Sequence, residues 1–142
     1  MSVEAPVFVD TNVLVYAFDR SETRRRRIAV ELLDELAGSN RLRLSTQVLQ
    51  EFFVTVTRKI AHPLPAGEAL ELLDDLAAWP LFLVDYQAIR QAAGLAAELP
   101  LAFWDALVLV AARRSGADLL YSEDLSHDRV IHGVRIVDPF RP

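Results

Sequence analysis

The sequence predicts an α/β fold: a parallel sheet covered by helices on both faces. Two observations carry this. Short β-branched or aromatic runs alternate along the chain with longer segments of helical periodicity. One of those helical segments, Ala102 to Ser115, is apolar nearly all round, which places it centrally rather than at the surface. No linker, repeat or low-complexity stretch interrupts the 142 residues, so residues 1–142 are expected to form one domain.

Val7-Phe8-Val9 reads as a strand that ends in a turn at Asp10-Thr11-Asn12, and Val13 to Phe18 as a short helix. Ser21 is placed to cap the next helix, whose Ile28, Leu32, Leu33 and Leu36 share one face and which stops near Gly38-Ser39-Asn40. Leu42-Arg43-Leu44 is the second strand. Ser45 or Thr46 then caps a helix bearing Val48, Leu49, Phe52, Phe53 and Val56, which ends before His62-Pro63. Pro65 opens a further helix with Leu70, Leu73, Leu76 and Ala77 on one face. Leu81 to Val84 is a strand, and Asp85 caps a helix from Tyr86 to Glu98. After the helix Ala102–Ser115, which Gly116 terminates, Leu119-Leu120-Tyr121 and Val134 to Val137 are the last strands.

Composition narrows the function. Without cysteine there is no disulfide, thiol nucleophile, Fe–S cluster or cysteine zinc site, which suits a reducing cytoplasm. The most apolar stretch, Leu99 to Ala112, is 14 residues long and contains Pro100 and Asp105, too short and too polar for a membrane span. The first residues, MSVEAPVFVD, have neither the basic nor the apolar part of an export signal. A net charge of −5 argues against a whole-surface grip on nucleic acid, although metal ions in an acidic pocket would change the local field. Dinucleotide, P-loop and nucleophile-elbow motifs are missing from the sequence.

Four carboxylates stand out against apolar neighbours. Asp10 closes the first strand, and Asp124 lies just past Leu119-Leu120-Tyr121; ligand sites of open parallel sheets lie beyond such strand ends. Each could equally be a turn or cap residue. Asp105 has only apolar axial neighbours, Leu101, Ala102, Val108 and Leu109, so it reads as a buried acid that needs a cation or a metal. Glu51 falls to the side of its helix near Gln47, Thr55 and Arg58, where a solvated pair with Arg58 explains it as well. If the acids converge, they repel. Two carboxylates ~4 Å apart cost about 4 kcal/mol at an effective dielectric near 20, and a divalent cation reverses the sign. All-oxygen ligands favour Mg²⁺ or Mn²⁺, the ions of phosphoryl chemistry.

The stretches FVDTNVLVYAFD (Phe8–Asp19), LSTQVLQEFFVTVTRK (Leu44–Lys59), FWDALVLVAARRSGADLLYSEDLSH (Phe103–His127) and GVRIVDPF (Gly133–Phe140) resemble the PIN-domain ribonucleases, specifically the VapC-type toxins of toxin–antitoxin pairs. The resemblance spans nearly the whole chain in order. It implies a three-layer fold with a parallel sheet, and Asp10, Glu51, Asp105 and Asp124 as the catalytic acids. Asp10, Asp105 and Asp124 would be ligands of Mg²⁺ or Mn²⁺, with Asn12 and Ser122 orienting the acids. It also implies RNA as substrate, a VapB-like antitoxin and a homodimer. An antitoxin arginine would enter the acidic pocket, while its helix would lie on the Val13–Phe18 segment and the helix after Thr46. Ser126-His127-Asp128 departs from the Asn-His-Gly frequent in this family, so Asp128 is either a fifth acid or a solvated one.

The remaining signals have ordinary readings. Arg24 to Arg27 sweep most of the way round a helix and serve as a solvated face, or as contacts to RNA or antitoxin. His62, His127 and His132 lack metal-ligand spacing, and Trp104 is expected to pack in the core. Two other functions compete. A catalytically inactive PIN module would bind only a partner, but all four acids are retained. An acid-pocket phosphatase would want an Asp-x-Asp pair and a nearby lysine, whereas Asp10-Thr11-Asn12 lacks the second Asp and Lys59 is the only lysine.

Overall fold

The computed structural model describes residues 4–142. Its elements run β1 (Val7–Val9), α1 (Thr11–Tyr16), α2 (Thr23–Gly38), β2 (Leu42–Ser45), α3 (Thr46–Arg58), α4 (Ala66–Ala77), β3 (Leu81–Phe82), α5 (Tyr86–Glu98), α6 (Phe103–Arg114), β4 (Leu119–Tyr121), β5 (Val130–Ile131) and β6 (Val134–Val137). They form a six-stranded sheet of order β3-β2-β1-β4-β6-β5. Every pairing is parallel except β5 with β6, an antiparallel hairpin closed by His132 and Gly133, both at positive φ. That hairpin was not legible in advance, because a two-residue strand carries no periodicity.

The order fixes where a site can form. From β1 the chain steps outward through β2 to β3, then crosses back to place β4 on the other side of β1. Right-handed crossovers put α1–α4 on one face and α5–α6 on the other, and the helices pack in those two groups. The reversal lies between β1 and β4, whose register pairs Val9 with Tyr121, so the residues that follow, Asp10 and Ser122, emerge side by side. This is the crevice that open parallel sheets use for ligands.

The core is the sheet and the helix faces against it. Phe8, Val9, Leu44 and Leu120 are wholly buried, as are Val13, Leu14, Phe52 and Ala106 through Ala112 nearly so. Three local expectations are corrected. The first helix starts at Thr11, two residues early, because Asp10 itself caps it by accepting from the Thr11 amide at 2.7 Å. Ser21 does not cap α2; its hydroxyl donates to the buried Asp19 carboxylate at 2.6 Å, and Glu22 takes the cap position without a side-chain bond. On α4 the inward stripe is Ala69, Leu72, Leu73 and Leu76, which leaves Leu70 55% exposed and Ala77 at the surface. The chain packs α4 against α3, and the small Ala69 lets the two helices approach. Ser45 and Asp85 cap as expected, accepting from Val48 and Ala88 amides at 3.2 and 2.8 Å. None of the described helices is long and apolar enough to cross a membrane.

Candidate active site

Asp10, Glu51, Asp105 and Asp124 come from four different elements and line one cleft of about 750 Å³ at the C-terminal edge of β1 and β4. Helices α3 and α6 both begin at this edge, which is why Glu51 and Asp105 reach it from opposite faces of the sheet. Glu123 joins them, so five carboxylates line the cleft against one cation, Lys59.

The wall built on β1 and β4 is locked by hydrogen bonds. Asp10 is 7% exposed; Ser122, fully buried, donates to its Oδ2 at 2.8 Å, and the Thr11 amide donates to its Oδ1. Asn12 Nδ2 donates to Asp124 at 3.0 Å and lies 3.4 Å from Asp10, while Asn12 Oδ1 accepts the Glu123 amide at 3.1 Å. Asn12 therefore ties both strand-end acids into one unit. Burial pushes the Asp10 carboxyl up to about 6, against the lowering effect of its Ser122 and Thr11 bonds, and the charges of Glu51 and Asp124 raise it further.

On the opposite wall, Glu51 accepts from Thr11 Oγ1 at 2.9 Å and from Gln47 Nε2 at 3.2 Å, not from Arg58. Gln47 also donates to the Trp104 carbonyl at 3.1 Å and so joins α3 to α6. Asp105 is only half-buried, and Ala102 one turn earlier is exposed, so the wholly apolar setting expected of it is not found. Burial raises its carboxyl above the ordinary aspartate value, as do the charges of Asp124 and Glu51. No arginine reaches Asp10, Glu51, Asp105 or Asp124 among the described residues.

A divalent cation suits this donor set. The groups are hard oxygens, two of the acids are held above their ordinary pKa by burial and by neighbouring carboxylates, and Gln47 Oε1 is buried without a hydrogen-bond partner. Among the described residues no three acids or histidines are gathered into a ready-made ion cage.

Several residues were misjudged or missed from sequence. Trp104 is 62% exposed on the rim of the cleft instead of in the core. Thr11, Gln47 and Glu123 also line the cleft, and of these only Gln47 carries a sequence signal, lying one turn before Glu51. Two of the arginines of the basic run have structural partners: Arg24 donates to the Phe140 carbonyl, and Arg25 to Glu123 at 2.6 Å while its guanidinium covers the Tyr16 ring. Tyr16 donates to the same Glu123 at 2.6 Å, and burial together with that carboxylate raises its phenol pKa. Asp128 pairs with Arg135 away from the cleft. Val13, Leu14, Val15 and Ala17 are buried, so that segment offers little apolar surface to a partner helix.

Residues 7–132 match the PIN domain family. No curated protein matches the chain in sequence. Among solved structures, VapC20 of Mycobacterium tuberculosis, a toxin that cleaves the sarcin–ricin loop, is similar with a TM-score of 0.62 at 20% identity, covering 83% of this chain and 89% of its own. A toxin–antitoxin complex from Klebsiella pneumoniae gives 0.68 at 20% identity, over 95% of this chain and 98% of that one. The DNA-bound VapBC of Salmonella typhimurium gives 0.66 at 19%, over 96% and 99%. At such identities the likeness carries the fold; function has to be argued from the site.

Proposed function

From the premise that this chain belongs to the PIN domain family, we propose that it is an Mg²⁺- or Mn²⁺-dependent endoribonuclease and the toxin of a toxin–antitoxin pair. The observation that carries the reading is the convergence of Asp10, Glu51, Asp105 and Asp124 on one cleft, with none of the four in a salt bridge among the described residues. Acids that only capped turns would have no reason to meet there, and such uncompensated charge marks functional sites.

Asp10, Asp105 and Asp124 would hold the ion, which when bound neutralises phosphate charge and makes water acidic enough to attack near neutral pH. The chain's own contribution is positioning. Ser122 and the Thr11 amide fix the Asp10 carboxylate, and Asn12 sets Asp124 against it. Thr11 and Gln47 hold Glu51 where it orients the attacking water and takes its proton. The water oxygen forms a new bond to phosphorus, the bond to the leaving sugar oxygen breaks, and that oxygen leaves with a proton from solvent.

The same anionic cleft accounts for regulation. A VapB-like partner would insert an arginine that bonds the acids in the cation's place, with two parallel charge-assisted hydrogen bonds. A homodimer in the cytoplasm completes the reading. The deciding experiment is cleavage of RNA by the purified chain with Mg²⁺ or Mn²⁺ and with a chelator. Metal-dependent cleavage that Asp105→Asn abolishes, with an unchanged circular dichroism spectrum, supports the assignment; a fully active Asp105→Asn protein refutes it.

A further inference from the structure

Trp104 is the largest exposed aromatic beside the acids, and nothing in the catalytic reading uses it. It stands one residue before Asp105 in the first turn of α6, 62% exposed, with Val54 of α3, 44% exposed, lining the same cleft. A structural tryptophan would turn inward, as the residues from Ala106 onward do. Its position is nevertheless well held. The Phe103 ring meets it edge-on at 5.1 Å and 83°, and its carbonyl accepts from Gln47, which also donates to Glu51. The platform is thus tied through one side chain to an acid of the site.

The cleft face of α3 supplies a second clue. Gln47, Glu51, Thr55 and Lys59 follow at intervals of four, a stripe roughly 18 Å long at 1.5 Å per residue. It runs from the acids, past the half-apolar middle at Val54 and Thr55, to Lys59, the only lysine in the sequence and the one cation lining the cleft. The acids and Trp104, whose carbonyl bonds Gln47, stand at one end, an apolar stretch follows, and a cation closes the other end: this order matches a strand with one phosphate over the acids, an unstacked base beside them and a further phosphate beyond. A paired duplex presents no base face to an indole, whereas an unstacked base does.

We propose that Trp104 is a base-stacking platform and Lys59 a backbone-phosphate contact, so that the cleft takes single-stranded RNA with one unstacked base on the indole beside the acids. The proposal rests on the ribonuclease reading but concerns residues outside the acid set.

The test is steady-state cleavage of a single-stranded RNA oligonucleotide by the full chain with Mg²⁺, for wild type, Trp104→Ala, Trp104→Phe and Trp104→Leu. Base–aromatic stacking is worth about 1–3 kcal/mol, so Trp104→Ala should raise KM about 5- to 150-fold with a smaller change in kcat. Trp104→Phe should restore most of it and Trp104→Leu should not. Lys59→Gln should weaken binding and flatten its salt dependence by about one phosphate, a slope change of ~0.7. In a Trp79→Phe protein, where Trp104 is the only indole, mixing with the oligonucleotide should quench fluorescence before any cleavage.

An unchanged KM in Trp104→Ala, with wild type cleaving, overturns the platform and leaves the nuclease reading intact. Equal rescue by Leu and Phe also overturns it, since apolar area alone would then suffice. So does a Trp104→Ala protein that loses only a protein partner while its KM for RNA stays the same. If wild type does not cleave, the nuclease reading fails and the quench decides alone: quenching upholds the platform, and its absence refutes it.

Discussion

Asp10 and Asp85 have the same local role and opposite surroundings. Each follows a strand region on one edge of the sheet, and each caps the helix that comes next, Asp10 through the Thr11 amide and Asp85 through the Ala88 amide. Asp85 stands half in solvent with the Arg114 guanidinium on both its oxygens, at 2.9 and 3.1 Å, and its carboxyl is held below the ordinary aspartate value. Asp10 is buried with two further acids nearby and no guanidinium, and its carboxyl is pushed up to about 6. A cap needs only an acceptor oxygen, so capping explains Asp85 completely. It leaves the buried charge of Asp10 unexplained, and that remainder is the mark of a site.

The contrast is sharpest in activity. Asp10→Asn keeps an acceptor for the helix and loses the charge that would hold the ion, so cleavage should fall by about 10²–10³-fold or more, the scale of a lost preorganised electrostatic group. Asp85→Asn should cleave RNA like wild type. Equal activities in the two variants, measured on one RNA, would show that the buried charge of Asp10 has no catalytic part.

Stability against pH should separate the pair next, with the metal removed by a chelator. For Asp10 the folded-state pKa lies above the unfolded one, so its favourable contribution is complete below about pH 4 and disappears as pH rises through about 6. The loss is on the order of 2–3 kcal/mol, and Asp10→Asn should remove that slope from a series of denaturant melts. For Asp85 the folded value is depressed, so its contribution is present above the unfolded pKa and is lost as pH falls through the folded one. A melt series in which Asp10→Asn retained the wild-type slope between pH 4 and 6 would contradict the burial argument.

Adding metal should act on one member only. At a hundredfold excess over Kd, Mg²⁺ or Mn²⁺ should stabilise wild type and Asp85→Asn by about 2.7 kcal/mol, read as a rise in Tm, and Asp10→Asn much less. Three equal shifts would place the ion elsewhere. The smallest effect belongs to the exposed pair. Arg114→Gln should lower Tm slightly at pH 7, and the difference from wild type should vanish as pH falls through the depressed folded-state value of Asp85.

What could be read in advance depended on how local the cause was. Strand runs, the Ser45 and Asp85 caps, the Gly116 stop at positive φ and the apolar α6 all follow from near neighbours in the chain. They were legible for that reason. The four acids were legible as types out of place, and the family resemblance supplied their grouping. The β5–β6 hairpin, the inward stripe of α4 and the exposure of Trp104 were not. Each depends on what another element presents: β6 to β5, α3 to α4, and the open cleft to the start of α6.

The sequence by itself determined an alternating α/β chain with acids at its strand ends, because hydrophobic period and capping chemistry act over a few residues. Only the tertiary structure decided which of those acids is a cap paired with a guanidinium and which is buried among other carboxylates. A carboxylate's charge is stabilised or not by groups within a few ångströms in space. Arg114 reaches Asp85 from 29 positions along the chain, while Ser122 reaches Asp10 from 112 positions away and brings no positive charge. Crossover connections set those distances, so two aspartates that look alike in sequence fold into opposite electrostatic environments.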